Sequence, residues 1–202
     1  MGCFMKNITG TLLFIFLSLF SFNSYADVDD WTKVTSYADL RDIAFGNGVF
    51  VAVSQGAWID YYGQVYISSD GIEWKIQEPD IEKSFSKIVY GDGKFVATGL
   101  DTGVSIDGIN WTIQVKMEGN GVAYGNGLFV LVNDDGYIAT SPDGESWTQQ
   151  TSNTTVYLTS VVYGNNEFVA VGRDKTIIKS TDGISWHVVN QQSQSAVALA
   201  SS

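Results

Sequence analysis

Cysteine and arginine are nearly missing from this chain. Of 202 residues only Cys3 carries a thiol, ahead of an apolar N-terminal run, so the rest of the chain excludes thiol catalysis, thiolate metal sites and disulfides. Two arginines, Arg41 and Arg173, exclude any mechanism that needs an arginine cluster. Basic residues are scarce as a class. Eleven Lys and Arg stand against 22 Asp and Glu, giving a net charge of −11 and a pI near 4.3. Such a surface repels phosphate and gains nothing from counterion release, so no nucleic acid is expected as a partner. The single histidine, His187, follows Trp186 and reads as a solvated side chain on an outer strand.

Long apolar runs are also lacking. The one present, residues 11–22 (TLLFIFLSLFSF), is too short to span a bilayer comfortably. Lys6 precedes it, and it closes on Ser24-Tyr25-Ala26, with small residues at the −3 and −1 positions of a signal-peptidase site. Residues 1–26 therefore read as a signal peptide and 27–202 as the mature domain, periplasmic or secreted, with no membrane span after cleavage. Loss of Lys6 takes the net charge from −11 to −12. A chain of this size buries roughly 70% of its surface on folding, enough for a core without disulfide staples.

What the chain has in abundance is glycine, 21 residues, and aromatics, 13%. They recur in order. An aromatic-Gly turn followed by an apolar strand appears four times, at 45–53 (FGNGVFVAV), 90–97 (YGDGKFVA), 124–131 (YGNGLFVL) and 163–170 (YGNNEFVA). Asn-Gly and Asp-Gly supply the positive φ angles of a tight hairpin, and the flanking β-branched and aromatic residues favour strands. Downstream of each lies a second signature: 68–74 (SSDGIEW), 105–111 (SIDGINW), 141–147 (SPDGESW) and 180–186 (STDGISW). Its aspartates, Asp70, Asp107, Asp143 and Asp182, are spaced by 37, 36 and 39 residues. Such periods mark stacked or radial repeats, and four short strands per period mark propeller blades.

The pattern S-x-D-G-x-x-W resembles the Asp-box (BNR-like repeat) of sialidases, sortilin-type receptors, xyloglucan-cleaving hydrolases and photosystem II assembly factors, all built on β-propellers. The resemblance covers essentially the whole of 27–202 and implies an all-β β-propeller of four-stranded antiparallel blades. Four blades are recognisable, with partial strands at both ends. The box occurs in enzymes and binding proteins alike, so it carries little about function. Its residues read as structural: Ser68, Asp70, Gly71 and Trp74; Ser105, Asp107, Gly108 and Trp111; Ser141, Asp143, Gly144 and Trp147; Ser180, Asp182, Gly183 and Trp186. The carboxylate accepts bonds from turn amides, Ser reinforces the turn, Gly takes a left-handed conformation and Trp returns into the blade interface.

In the fourth repeat the strands are expected at 157–163, 167–172, 176–180 and 185–190. Loops between second and third strands then share one end of the propeller with loops between blades, and the boxes occupy the opposite end. Residues 31–34 (WTKV) read as the outer strand of a preceding blade, and 196–200 (AVALA) as the inner strand of a following one. Three readings stay open: a truncated gene product, an arc closed by self-association, or a small ring whose ends meet. An open arc exposes sheet edges and apolar blade faces.

Catalytic features are sparse. Sialidases hold their substrate with three arginines beside a Tyr and Glu pair, which two arginines cannot supply. Two-carboxylate glycosidase chemistry needs acids converging on one cleft, and four of the acids here belong to boxes. The acidic turns 27–30 (DVDD) and 133–136 (NDDG) lack EF-hand spacing, so no metal and no cofactor are expected. One segment leaves the repeat. In blade one the distance from aromatic-Gly turn to box is 25 residues, against 17 to 19 elsewhere, and the added stretch carries Trp58, Asp60, Tyr61 and Tyr62. Aromatic faces beside a carboxylate suit a sugar ring, and they equally suit a cap on the blade-one core or an interface. The sequence favours an exported, non-catalytic propeller that binds a protein or glycan partner; the alternative is a carbohydrate-active enzyme of unrecognised type.

Overall fold

The computed structural model describes residues 39–55, 63–77, 84–114 and 117–189. Within them the chain forms four antiparallel sheets of four strands each, in sequence order from inner to outer. Blade one holds β1 (Asp39–Gly46), β2 (Val49–Gln55), β3 (Val65–Ser68) and β4 (Lys75–Gln77). Blade two holds β5 (Phe85–Gly91), β6 (Lys94–Gly99), β7 (Thr102–Ser105) and β8 (Thr112–Gln114). Blade three holds β9 (Gly121–Gly125), β10 (Leu128–Val132), β11 (Ile138–Ser141) and β12 (Thr148–Gln150). Blade four holds β13 (Leu158–Gly164), β14 (Glu167–Gly172), β15 (Ile177–Ser180) and β16 (His187–Val188). Among the described residues the propeller expected from the repeats is present, as an arc that does not close into a ring.

Each blade begins with the same hairpin. Asn47-Gly48, Asp92-Gly93, Asn126-Gly127 and Asn165-Asn166 all sit at φ between 48° and 77°, the geometry that matches the twist of a two-residue hairpin. The register sets Phe45 opposite Phe50, Tyr90 opposite Phe95, Tyr124 opposite Phe129 and Tyr163 opposite Phe168. These rings pack with centroids 4.6–4.8 Å apart.

Between blades, the inner strands follow one another, β1 against β5, β5 against β9 and β9 against β13. The core lies in the joints between sheets. Val51, Val53 and Val65 of blade one meet Phe85, Ile88 and Phe95 of blade two, and Val130, Val132 and Ile138 of blade three meet Leu158, Val161 and Phe168 of blade four. Strands β2, β6 and β10 each carry four consecutive buried residues, and the sheets of β6 and β10 have a blade on either side. Strand β14 instead alternates, because one of its faces has no neighbouring blade.

The fourth blade departs from expectation in its inner, third and outer strands, the third beginning at Ile177 and not at 176. Its inner strand runs 158–164 and not 157–163, and its outer strand is only two residues long. The box aspartate explains the late start of the outer strand: Asp182 accepts the amides of Ile184 and Ser185, so these cannot join the ladder. The end strands expected at 31–34 and 196–200 lie outside the described residues.

Candidate functional site

Antiparallel strands send alternate connections to opposite ends of the arc. The β1–β2 type hairpins and the Asp-boxes occupy one end; the connections between second and third strands, and those between blades, occupy the other.

At the box end the same geometry occurs four times. Ser68, Ser105, Ser141 and Ser180 each donate Oγ–H to the following aspartate at 2.8–3.0 Å and accept the glycine N–H at 2.7–2.8 Å. Each aspartate Oδ1 also accepts the N–H groups two and three residues on, at 2.7–2.9 Å. Gly71, Gly108, Gly144 and Gly183 take φ of 75–76°, where a side chain would be strained. Their carbonyls accept the indole N–H of Trp74, Trp111, Trp147 and Trp186 at 2.8–3.1 Å. Only Trp186 is fully buried; the other three indoles are half-buried.

Hydrogen bonds to the ionised form set the acidity of these groups. The Ser146 and Glu145 amides, then the Ser141 hydroxyl, lower Asp143 to about 2. The Ser185 and Ile184 amides with Ser180 do the same for Asp182, to about 2. At Asp107 desolvation opposes the shift, yet the Asn110 amide and side chain, with Ile109 and Ser105, bring it to about 2. The Ile72 and Glu73 amides lower Asp70 in the same direction. Each of these carboxylates is committed to its turn.

The loop end carries a groove. Between β10 and β11 the chain makes a single 3-10 turn over Asp134–Gly136, and this wall faces the connection from β12 to β13, residues 151–157. Together they enclose an open volume of about 910 Å³. Local bonds hold the first wall: Asn133 N–H donates to the Tyr137 carbonyl at 2.9 Å, and Asn120 Nδ2 donates to Asp134 Oδ1 at 2.8 Å and to the Leu158 carbonyl at 3.0 Å. In the second wall Ser152 Oγ–H donates to the Thr154 carbonyl at 2.9 Å, and Asn153 Nδ2 donates to the Trp186 carbonyl at 2.8 Å. The walls meet where Gly136, at φ 70°, admits the Thr154 carbonyl; a Cβ there would overlap it.

Hydroxyls and amides dominate this lining, with a half-buried Tyr137 and two exposed acids, Asp134 and Asp135. No lysine or arginine lines it. Both acids belong to one turn and so to one wall. Further round the same end, Arg173 lies over the Tyr157 ring at 4.3 Å, a cation–π pair between the β14–β15 loop and the inter-blade connection.

Trp58, Asp60, Tyr61 and Tyr62 lie outside the described residues. Their flanks are on the loop end, where Ser54 N–H donates to the Gln64 carbonyl at 2.9 Å and Gln64 N–H donates to Ser54 Oγ at 2.7 Å. His187 is exposed on β16. Among the described residues no group of three or more His, Cys, Asp or Glu is arranged to hold a metal ion, and no helix is long and apolar enough to cross a membrane. In the sequence Asn133–Gly136 shows only as an acidic turn, and the polar stretch 151–155 (TSNTT) is the signal for the facing wall.

No protein-family model matches the chain, and no curated protein matches it in sequence. Solved structures do match in fold. YCF48 bound to D1 peptide is 14% identical with a TM-score of 0.55, over 79% of this chain and 57% of that one. YCF48 from Cyanidioschyzon merolae is 18% identical with a TM-score of 0.57, over 78% and 57%. The computationally designed Ika4 protein is 11% identical with a TM-score of 0.56, over 77% and 94%. The chain thus matches little more than half the length of the two YCF48 structures. At these identities the likeness is one of fold: a β-propeller-like arrangement of blades resembling YCF48.

Proposed function

We propose that this chain is an exported, non-catalytic propeller that binds a protein or glycan partner across its loop end. The observation that carries the reading is the groove between Asn133–Tyr137 and residues 149–155, which offers many neutral donors and acceptors to a ligand. A lining of this kind suits an extended polar ligand, such as a peptide backbone or a row of sugar hydroxyls. YCF48, a protein of similar fold, has been solved with a bound peptide, which favours a protein segment first. Trp58, Asp60, Tyr61 and Tyr62 belong to the same proposal, since Ser54 and Gln64 root their segment at the loop end. The leader-like segment 1–26 supports export to the periplasm or beyond.

Catalysis fits less well. A glycosidase sets its two carboxyl groups on either side of the scissile bond, whereas Asp134 and Asp135 are neighbours on one wall and the box carboxylates are bound in turns at the far end. The test is a screen of residues 27–202 against peptide and glycan arrays, run beside turnover assays on sialylated and plant polysaccharides. Saturable binding without turnover is the expected result. Saturable cleavage of any of these substrates overturns it and supports the carbohydrate-active alternative.

A further inference from the structure

The side chains that line the loop-end groove are short of partners. Among the described residues, no hydrogen bond, ion pair or aromatic contact engages the Asp135 carboxylate, the Tyr137 ring and hydroxyl, the Gln149 amide or the hydroxyls of Thr151 and Thr155. Asp134 uses only Oδ1, on Asn120. All six face one open volume, and the close approach of Gly136 to the Thr154 carbonyl holds its two walls in register. Their polar groups are therefore set in place before a ligand arrives, which lowers the entropy cost of binding.

Charge divides the two walls. The wall at 149–155 offers neutral donors and acceptors, while the other carries two carboxylates with no counter-charge in the lining. At the box end, by contrast, acids are answered: the box carboxylates by turn amides, Asp92 by Lys94 at 3.8 Å and Glu167 by Lys179 at 3.0 Å. Carboxylates beside an open aromatic face make a setting for a guanidinium or an ammonium, which gains charge-assisted hydrogen bonds from the acids and the ring quadrupole from the tyrosine. The chain makes the second of these contacts with its own residues at the same end, where Arg173 lies 4.3 Å from the Tyr157 centroid. A net charge of −11 adds a long-range field of the same sign, drawing cationic ligands in and repelling anionic ones.

Resting on the binding role proposed above, we infer that the occupant of this groove is an extended protein segment that carries an arginine or a lysine. Its cation sits against Asp134 and Asp135 beside the Tyr137 ring, and its neutral backbone groups turn toward Gln149, Thr151 and Thr155. A neutral glycan could use the second wall but would leave both carboxylates without a counter-charge. A sialylated glycan or an acidic peptide would meet like charge there, which costs affinity.

The test uses short synthetic peptides, degenerate except for a fixed central Arg, Lys, Gln or Glu, titrated against the full chain beside neutral and sialylated glycans. The Arg and Lys pools are expected to bind at least about tenfold more tightly than the Glu pool, with an advantage that shrinks as salt is raised. Asp135→Asn removes one charge and keeps the shape, and asparagine accepts the φ of 54° that residue 135 holds, so its circular dichroism should be unchanged. That variant is expected to lose about fivefold in affinity for the Arg pool and nothing for the Gln pool. Equal binding of all four pools, or an Arg preference indifferent to Asp135→Asn, overturns this inference and leaves the binding role standing. Retention of glycans alone overturns it in favour of a glycan ligand, and failure of every peptide and glycan to bind defeats both readings.

Discussion

The two ends of the propeller obey different rules. At the box end, four turns of different sequence make the same hydrogen bonds to within a few tenths of an ångström. At the loop end each blade differs: a short connection between β6 and β7, a 3-10 turn between β10 and β11, and a four-residue loop carrying Arg173 between β14 and β15. Repetition at one end and variation at the other separates what holds the blades together from what is free to meet a ligand. Loops on a rigid scaffold are where binding residues concentrate.

Acid should break the box end most, since it acts on four turns at once. Folded-state acidities depressed from an ordinary 3.8 to about 2 at Asp107, Asp143 and Asp182, and depressed also at Asp70, mean that the stability they add is full above about pH 4 and is lost as the pH falls toward 2. A melting-temperature series from pH 5 to pH 2 should show a steep fall in that window; a flat profile would mean that the box carboxylates do not stabilise the fold. Next in size is Gly125→Ala, which forces a methyl into the Tyr163 ring and should cost about 3 kcal/mol by denaturant unfolding. Asp143→Ala leaves two amides and a hydroxyl without their acceptor and should cost about 2 kcal/mol while leaving ligand affinity nearly unchanged. Smallest in stability are changes at the loop end. Gln149→Ala, Thr155→Ala and Trp58→Ala should each stay within about 0.5 kcal/mol of wild type in unfolding. At least one should weaken partner binding by about 1 kcal/mol or more in titration calorimetry. Unfolding by Trp58→Ala would instead make it a core residue and remove it from the proposed surface.

The sequence carried the repeat in plain view because local chemistry sets it. Asn-Gly and Asp-Gly dictate a hairpin, and S-x-D-G-x-x-W dictates a turn whose bonds all close within seven residues. The outer strand of the fourth blade starts at His187 and not at 185 for the same reason in reverse: Asp182 has already taken the Ile184 and Ser185 amides. The expectation that each box Trp returns into the interface holds fully for Trp186, while Trp74, Trp111 and Trp147 keep one side toward solvent. The groove was hidden for a different reason. Its walls, residues 133–137 and 149–155, become neighbours only because Gly136 lets the Thr154 carbonyl approach and Asn120 reaches both Asp134 and Leu158. No local pattern encodes an approach between a loop inside blade three and the connection that leaves that blade.

Nearest-neighbour contact between blades also sets how the molecule comes apart. The inner strands pack only in sequence order among the main contacts, so the energetics are those of a line of coupled units, in which a terminal unit has one coupling and an internal unit has two. Amide exchange in an isolated arc should therefore be slowest in β6 and β10 and fastest in the sheets of blades one and four, with opening propagating inward from either terminus.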